Sequence, residues 1–346
     1  MNELLKQLTE VSGVSGFEKD VRLLIRDLIK DHVDEWRVDA IGNLIATKRG
    51  TGESDLRVMV DAHMDEVGLL VTGVDDHGTY KFLTVGGLDS QALCGKVVKV
   101  GSKNLTGVIG LKPLHLLTNS QMNTKPRTDS LRIDIGASSK GEAEKKVKPG
   151  EPATFVSDYE ELGQVAIGKA FDDRAGCAAL IMLLKGERFS FDLIAAFTVQ
   201  EEVGLRGARV AAYGVKPDAA IVLECTPAYD LPNKREVSPN VALSKGPALY
   251  VMDAGTIQDP RLVSHIISVA AVNEIPYQIR QPGGGSTNTA AIQRTGAGVP
   301  AATVATPGRY IHGPVSMINL SDFDNVVKLV DAALRSLTRE TVTRTL

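Results

Sequence analysis

Aromatic residues are scarce in this 346-residue chain, which has one tryptophan and 5% Phe, Trp and Tyr in total. Such scarcity disfavours an enzyme that stacks sugars on aromatic side chains. Three cysteines, none in a CxxC pair, cannot build a disulfide framework and indicate a reducing compartment, which we expect to be the cytoplasm. No apolar run reaches the roughly 18 residues of a membrane span, so we expect no membrane partner.

No charge of one sign dominates the chain, because 39 Lys and Arg residues face 42 Asp and Glu residues, for a net charge of −3. A basic surplus is typical of proteins that bind nucleic acid, and we expect no such partner here. The GxSxG, P-loop, HExxH and GxGxxG motifs are also absent. Nucleophilic serine chemistry and nucleotide chemistry therefore have no support.

The sequence does contain alternating helix and strand patterns in two blocks. Apolar residues spaced i, i+3, i+4 and i+7 predict a helix over residues 17–34. Apolar runs at 192–199 and 218–223 are typical of strands buried on both faces of a parallel sheet, and strand-like runs also occur at 56–61 and 300–306. We therefore predict an α/β fold in which a mostly parallel sheet is flanked by helices.

The texture changes between residues 68 and 167, where short β-like runs alternate with Gly, Asp, Asn and Ser turns. This pattern predicts a β-rich domain inserted into a catalytic α/β domain made of residues 1–67 and 168–346. Within the insertion, residues 112–130 lack periodicity and are predicted to form a long exposed loop.

Histidines and acids follow the predicted strands. The residues concerned are His63, Asp65, Asp172, Asp173, Glu201, Glu202, Glu224 and His312. Because parallel strands end at one edge of a sheet, where open α/β sheets bind ligands, we expect these side chains to converge. The negative charges of such a cluster repel one another unless cations neutralise them.

Two divalent ions bridged by one carboxylate would neutralise this cluster. Imidazole and carboxylate ligands favour Zn²⁺ or Co²⁺ and are compatible with Mn²⁺, while the lack of cysteine ligands argues against a closed structural zinc site. Two such ions polarise a carbonyl and generate hydroxide from water, and a free carboxylate beside them can act as general base.

Each piece also has an ordinary structural interpretation. A single histidine after a strand is more often a hydrogen-bonded loop residue. Asp172 and Asp173 can cap a helix, and Glu201 with Glu202 can form a solvated turn. Their joint occurrence at strand ends favours the metal site, although position alone leaves both interpretations open.

Five segments together resemble the M42 family of dinuclear metallo-aminopeptidases, which includes glutamyl and deblocking aminopeptidases. They occur in family order over nearly the whole chain, and together they are far more specific than an HxDE pattern alone. The segments are 60–68 (VDAHMDEVG), 170–176 (AFDDRAG), 197–204 (FTVQEEVG), 246–256 (GPALYVMDAGT) and 309–315 (RYIHGPV).

The resemblance implies a ligand for each position of a two-metal centre. Asp172 bridges the two ions. His63 and Glu224 complete one site, and Glu202 and His312 complete the other.

The resemblance also implies roles for residues around the metals. Glu201 is the general base, which takes a proton from the bridging water to leave a hydroxide and then returns that proton to the leaving amine. Asp65 orients His63 and raises its basicity. The Asp172–Asp173 peptide bond is implied to be cis.

The implied activity is removal of N-terminal residues from peptides with a free N-terminus. The implied assembly is a homo-oligomer, a tetrahedral dodecamer held together by the inserted domain. Two departures from the family pattern concern the site: Glu224 stands where many relatives have Asp, and residues 283–289 read GGGSTNT where relatives often have a Gly-Gly-Thr-Asp-type stretch. We therefore assign no preferred N-terminal residue.

Three alternatives stay open. The same scaffold can support an N-acyl amino acid or peptide deacylase. An endoglucanase, a label that some relatives have carried, is disfavoured because Trp36 is the sole tryptophan. An inactive binding assembly is disfavoured by the complete set of candidate ligands and by Glu201.

Overall fold

The computed structural model describes residues 2–231, 241–281 and 283–344. The chain forms one large sheet covered by helices and a separate closed β-barrel. The predicted class, an α/β fold interrupted by a β-rich insertion, is confirmed. Across the described ranges, none of the helices has the length and apolarity needed to cross a lipid bilayer.

The helices are mostly short, and several of them cover the large sheet. In chain order they are α1 (Asn2–Glu10), α2 (Lys19–Ile29), α3 (Ser90–Leu93), α4 (Asn119–Met122), α5 (Lys140–Lys146), α6 (Phe171–Lys185), α7 (Arg206–Val215), α8 (Pro260–Val272), α9 (Thr289–Gln293), α10 (Leu320–Arg335) and α11 (Arg339–Val342), with 3₁₀ turns at Leu114–Leu116 and Thr128–Ser130. Helices α1, α2, α6, α8 and α10 contribute to one apolar core.

The strands divide between the sheet and the barrel. In chain order they are β1 (Glu35–Val38), β2 (Leu44–Lys48), β3 (Arg57–His63), β4 (Gly68–Val74), β5 (Tyr80–Val85), β6 (Val97–Val100), β7 (Leu105–Gly110), β8 (Arg132–Asp134), β9 (Pro152–Phe155), β10 (Glu160–Leu162), β11 (Val165–Gly168), β12 (Asp192–Thr198), β13 (Ala219–Pro227), β14 (Ala248–Tyr250), β15 (Gln278–Arg280), β16 (Ala301–Arg309) and β17 (Ser316–Asn319).

The large sheet has the order β1-β2-β12-β3-β13-β16-β17-β11-β10, and β14 joins it by pairing with β16 and β15. Its centre, β12-β3-β13-β16, is parallel, whereas the strands toward both edges are antiparallel. The central strands are buried at nearly every position because α1, α2, α6, α8 and α10 cover one face and α7 and α9 cover the other. The parallel centre places four strand ends at one edge of the sheet.

The barrel has the strand order β4-β5-β8-β7-β6-β9 and encloses its own apolar core. Its strands lie between Gly68 and Phe155, while β11 pairs with β17 of the large sheet and β10 pairs with β11 at its edge. The domain limits at 67/68 and 167/168 stay a prediction. Residues 112–130 are mostly exposed and contain only short helical turns.

A fully buried arginine ties the N-terminal helix to the centre of the molecule. The Arg174 guanidinium donates to the carbonyl oxygens of Leu8 and Met64, the latter at 2.7 Å. Its Nη2 lies 3.6 Å from Glu66 Oε1, and Glu66 also accepts from Lys169 Nζ at 2.8 Å. Breaking such a buried pair leaves an uncompensated charge and unpaired carbonyl oxygens.

We expect Arg174→Met to lower the free energy of unfolding by about 3–5 kcal/mol, measured by urea denaturation of the metal-free protein. Arg209→Met is the matched control, since Arg209 is exposed on α7 and its loss should cost no more than about 0.5 kcal/mol. Equal effects of the two substitutions would contradict the anchoring role of Arg174.

Candidate metal centre

Four neighbouring parallel strands carry the predicted site residues at or near their carboxyl ends. His63 is the last residue of β3, and Glu201 and Glu202 follow β12. Glu224 lies within β13, which continues past the predicted end to Pro227. His312 follows β16 in a connection that adopts the left-handed region, with φ 57° at His312 itself. The strand order therefore brings together residues that are distant in sequence.

The first turn of α6 contributes two adjacent acids. The Asp172–Asp173 peptide bond is cis, as the resemblance implied. The Asp173 carboxylate accepts from the main-chain N–H groups of Gly176 at 3.0 Å and His63 at 3.2 Å. Asp173 therefore supports the backbone of His63, and Asp172 is the acid that contacts both histidine rings.

Asp172 lies between the two histidines and presents one oxygen to each. Its Oδ1 is 3.2 Å from His63 Nε2, and its Oδ2 is 3.3 Å from His312 Nε2. Each histidine also has a second carboxylate nearby: Glu224 Oε1 is 3.6 Å from His63 Nε2, and Glu202 Oε2 is 3.4 Å from His312 Nε2. The arrangement has two halves that share Asp172.

The other ring nitrogen of each histidine contacts a main-chain carbonyl. His63 Nδ1 is 3.1 Å from the carbonyl oxygen of Asp65, and His312 Nδ1 is 3.0 Å from that of Gly87. Because a carbonyl oxygen only accepts, each Nδ1 carries the proton. A neutral ring then directs a lone pair from Nε2 toward a carboxylate oxygen of Asp172. Such a contact requires a positive charge between the atoms, either a proton or a metal ion.

The donor atoms fit a metal ion. Ligand atoms on a tetrahedral zinc ion lie about 3.3 Å apart, close to the four separations above. In addition, Glu224 Oε2 is buried without a hydrogen-bond partner. Among the residues that the structure describes, potential ligand atoms come within 4.8 Å of one another in three sets, which are Asp172, Glu202 and His312; His63, Asp173 and Glu224; and His63, Glu201 and Glu202. The site therefore contains acidic and histidine groups that can hold a metal ion.

Burial raises the pKa values of three acids in this cluster. Burial, joined by the negative charge of Asp172, raises the pKa of Glu202 to about 8. Burial raises the pKa of Glu224 to about 7 and that of Glu201 well above its usual range, although the charge of His63 opposes both shifts. The hydrogen bond to Asp172 raises the pKa of His312 to about 9. The acids need added positive charge in order to ionise together.

The structure places Asp65 against both His63 and the Glu201–Glu202 turn. Its carboxylate is 3.5 Å from His63 Nδ1, farther than its own main-chain oxygen. The same carboxylate accepts from the main-chain N–H groups of Glu201 at 2.9 Å and Glu202 at 3.1 Å, and from Ser15 Oγ at 2.6 Å. Asp65 thus holds the backbone of two neighbouring site residues.

A cavity of about 920 Å³ opens onto the centre and is lined by Asp172, Glu201, Glu202, Glu224 and His312 among others. Its wall includes Arg280, which is only 7% exposed. The guanidinium lies 4.4 Å over the Tyr250 ring and donates to Thr226 Oγ1 at 3.1 Å and to the carbonyl oxygen of Gly284 at 3.3 Å. Within the described ranges, no carboxylate forms an ion pair with it.

Sequence reasoning missed several residues that shape the site. They are Ser15, Gly87, Asp173 as a support for His63, and Arg280. Gly87 and His312 are 225 positions apart, and the contact uses a main-chain oxygen that every residue type possesses. No local pattern could have indicated it. Arg280 could have been found only by asking which cations lack an acidic neighbour in the folded chain.

The fold and this site are those of an α/β peptidase, and comparison with known proteins agrees. Residues 42–329 match the family described as M42 glutamyl aminopeptidase. This chain belongs to the M42 peptidase family and is a peptide-bond hydrolase of the aminopeptidase class.

Individual relatives are similar along nearly their full length. The lysyl aminopeptidase of Pyrococcus furiosus is 35% identical over 346 residues, covering 97% of each chain. The TET1 peptidase of Pyrococcus horikoshii, which can assemble into a tetrahedron or a large octahedral shell, superposes with a TM-score of 0.86 at 36% identity and covers 97% of this chain and 99% of its own. A structure described as an endoglucanase from Thermotoga maritima has a TM-score of 0.81 at 40% identity, covering 98% and 97%.

Proposed function

We propose that this protein is a divalent-metal-dependent aminopeptidase that removes N-terminal residues from peptides. The observation that carries the proposal is the position of Asp172, whose two carboxylate oxygens each contact a different histidine. A carboxylate in this position can bridge two ions. Each half of the centre then has one imidazole and one further carboxylate as ligands.

In this proposal His63 and Glu224 would hold one ion, Glu202 and His312 would hold the other, and Asp172 would hold both. When bound, a pair of Zn²⁺, Co²⁺ or Mn²⁺ ions supplies Lewis-acid polarisation of the scissile carbonyl and lowers the pKa of a water molecule.

Glu201 is the proposed general base. It lines the cavity, its Oε2 lies 3.9 Å from His63 Nε2, and burial raises its pKa well above the usual range. A carboxylate with a raised pKa accepts a proton from water more readily than an exposed one. After accepting that proton, Glu201 returns it to the leaving amine. The bonds from Glu201 and Glu202 to Asp65 hold this turn in place.

The proposal is tested by removing the metals. After dialysis against a chelator, we expect activity on aminoacyl-p-nitroanilides and free-amine peptides to fall more than about 100-fold. Zn²⁺, Co²⁺ or Mn²⁺ should restore it, and metal analysis should report two ions per subunit. Full activity in a protein shown to be free of metal would refute the proposal.

The same assay separates the alternatives. If the metal-loaded enzyme ignores a broad panel of free-amine peptides but cleaves N-acylated amino acids, the deacylase is correct. Release of reducing sugar that survives chelation would favour the endoglucanase. Trp36, the sole tryptophan, lies on edge strand β1 and not among the residues that line the cavity.

Arg280 predicts a preference for an acidic N-terminal residue. A buried guanidinium whose partners are neutral oxygens is stabilised by a carboxylate, and a charged hydrogen bond is worth about 1.5–3 kcal/mol. We expect kcat/KM for a Glu substrate to exceed that for the isosteric Gln substrate about 10- to 100-fold.

Arg280→Gln should abolish this Glu-over-Gln preference, and Arg280→Lys should retain part of it. The matched control is Arg206→Gln, which removes an exposed cation that follows Leu205, a residue of the cavity wall. Equal kcat/KM values for the two substrates in the unmodified enzyme would contradict the role of Arg280.

We also propose that the inserted domain, residues 68–167, mediates assembly into a dodecamer. The barrel exposes large apolar side chains at Leu83, Val97, Val108 and Leu111, as expected for a surface that a second copy covers. The assembly of the TET1 peptidase supports the proposal.

The free state of all three cysteines accords with a reducing compartment, which we propose to be the cytoplasm.

A further inference from the structure

The two histidines of the centre are oriented by different parts of the chain. The acceptor for His63 Nδ1 is the carbonyl oxygen of Asp65, two residues further along the chain. The acceptor for His312 Nδ1 is the carbonyl oxygen of Gly87, in the turn that follows barrel strand β5. One half of the centre is therefore supported from within the α/β part, and the other half is supported by the barrel.

His312 depends on this support more than His63 does. The His63 side chain is fully buried, whereas 40% of the His312 side chain is exposed. Tyr310 and His312 both adopt the left-handed region, with φ of 60° and 57°, so their connection is not a regular element that fixes the ring by itself. The hydrogen bond to Gly87 is the contact that sets which nitrogen faces Asp172.

The turn formed by Gly86 and Gly87 also packs against both ligands of that half. A Cβ atom at Gly87 would lie 3.1 Å from His312 Nδ1. A Cβ atom at Gly86 would lie 3.3 Å from Glu202 Cβ and 2.7 Å from Val67 Cγ1, and Gly86 has φ +80°. The absence of side chains at both positions allows the barrel backbone to approach Glu202 and His312 this closely.

We propose that the Gly86–Gly87 turn of the barrel is a positioning element for the Glu202–His312 half of the centre. The inserted barrel thereby contributes to the active site itself, through a main-chain oxygen that selects the His312 tautomer and through contact with Glu202. The His63–Glu224 half is formed without it. This inference rests on the proposed function, in which each half holds one ion.

The test measures the two ions separately. Metal-free protein is titrated calorimetrically with Zn²⁺, and His312→Ala and His63→Ala identify which binding event belongs to which half. In Gly87→Ala the new methyl group displaces His312 by a few tenths of an ångström. We expect the ion that His312→Ala removes to bind about 10- to 100-fold more weakly, and the other ion to bind as in the unmodified protein.

Two further variants make the test specific. Gly141→Ala is the matched control, because Gly141 also lies in the barrel segment but is exposed and has open space around its Cβ position. Leu88→Ala loosens the turn without touching His312, since Leu88 packs against the barrel core. Leu88→Ala should weaken the binding of the same ion to a smaller degree. If Gly87→Ala does not fold, Leu88→Ala serves as the test in its place.

Unchanged binding of both ions in Gly87→Ala, or equal weakening of both, would overturn the inference. Either result would leave the proposed function intact if the unmodified protein binds two ions and needs them for activity. Conversely, an unmodified protein that is active without metal would refute the proposed function and this inference together. The metal-free melting temperature of each variant shows whether the fold is preserved.

Discussion

Glu201→Gln should lower kcat by about 10²–10⁴-fold while both ions remain bound. The amide has nearly the same size as the carboxylate but cannot accept a proton from water. Glu201 is not in either proposed ligand set, and its main-chain bond to Asp65 does not involve the substituted group. The measurements are steady-state kinetics on an aminoacyl-p-nitroanilide and metal analysis of the same sample.

Glu53→Gln is the control for this substitution, because Glu53 is exposed and remote from the cavity lining. It should leave kcat unchanged. A different outcome has a clear structural source, since Glu201 also lies within ligand distance of His63 and Glu202. If Glu201→Gln loses an ion together with its activity, Glu201 is a ligand and the assignment as base is wrong.

Asp172→Ala should weaken the binding of both ions, each by more than about 100-fold, and should abolish activity. The reason is that one carboxylate faces both halves of the centre, at 3.2 Å from His63 Nε2 and 3.3 Å from His312 Nε2. Calorimetric titration of the metal-free variant with Zn²⁺ measures both affinities.

The informative comparison is with the single histidine variants. His63→Ala and His312→Ala should each weaken mainly one ion, because each ring lies in one half of the centre. If Asp172→Ala also weakens only one ion, Asp172 does not bridge and the two halves are independent sites. The proposed mechanism, in which Asp172 holds both ions, would then be wrong.

The centre illustrates why burial and charge have to be considered together. Glu202 and Glu224 have pKa values raised to about 8 and about 7, mainly by burial, and a buried acid cluster of this kind is unfavourable without cations. His63 and His312 supply positive charge only if their rings are protonated. Divalent ions would remove the need for those protons, which explains how such a cluster can be compatible with a stable fold.

Much of the fold was predictable because local pattern and tertiary burial agree. The apolar run 192–199 forms β12 (Asp192–Thr198), and the helix predicted over 17–34 is α2 (Lys19–Ile29), which is shorter at both ends. Both signals arise from covering apolar faces, which periodicity reports directly. Strand β9 and helix α5 of the barrel have weak local signals, since β9 begins with Pro152 and α5 has only one buried residue, Ala143.

The sequence by itself determined the fold class, the family and the types of residue at the ends of the central strands. It could do so because strand periodicity, strand ends and family motifs are all written in neighbouring positions. Only the tertiary structure decided that Asp172 contacts both His63 and His312, and that a barrel carbonyl at Gly87 orients one of them. These contacts depend on how the large sheet, its helices and the barrel come together in the folded chain. Every residue type has a main-chain oxygen, so no sequence pattern indicates the contact at Gly87.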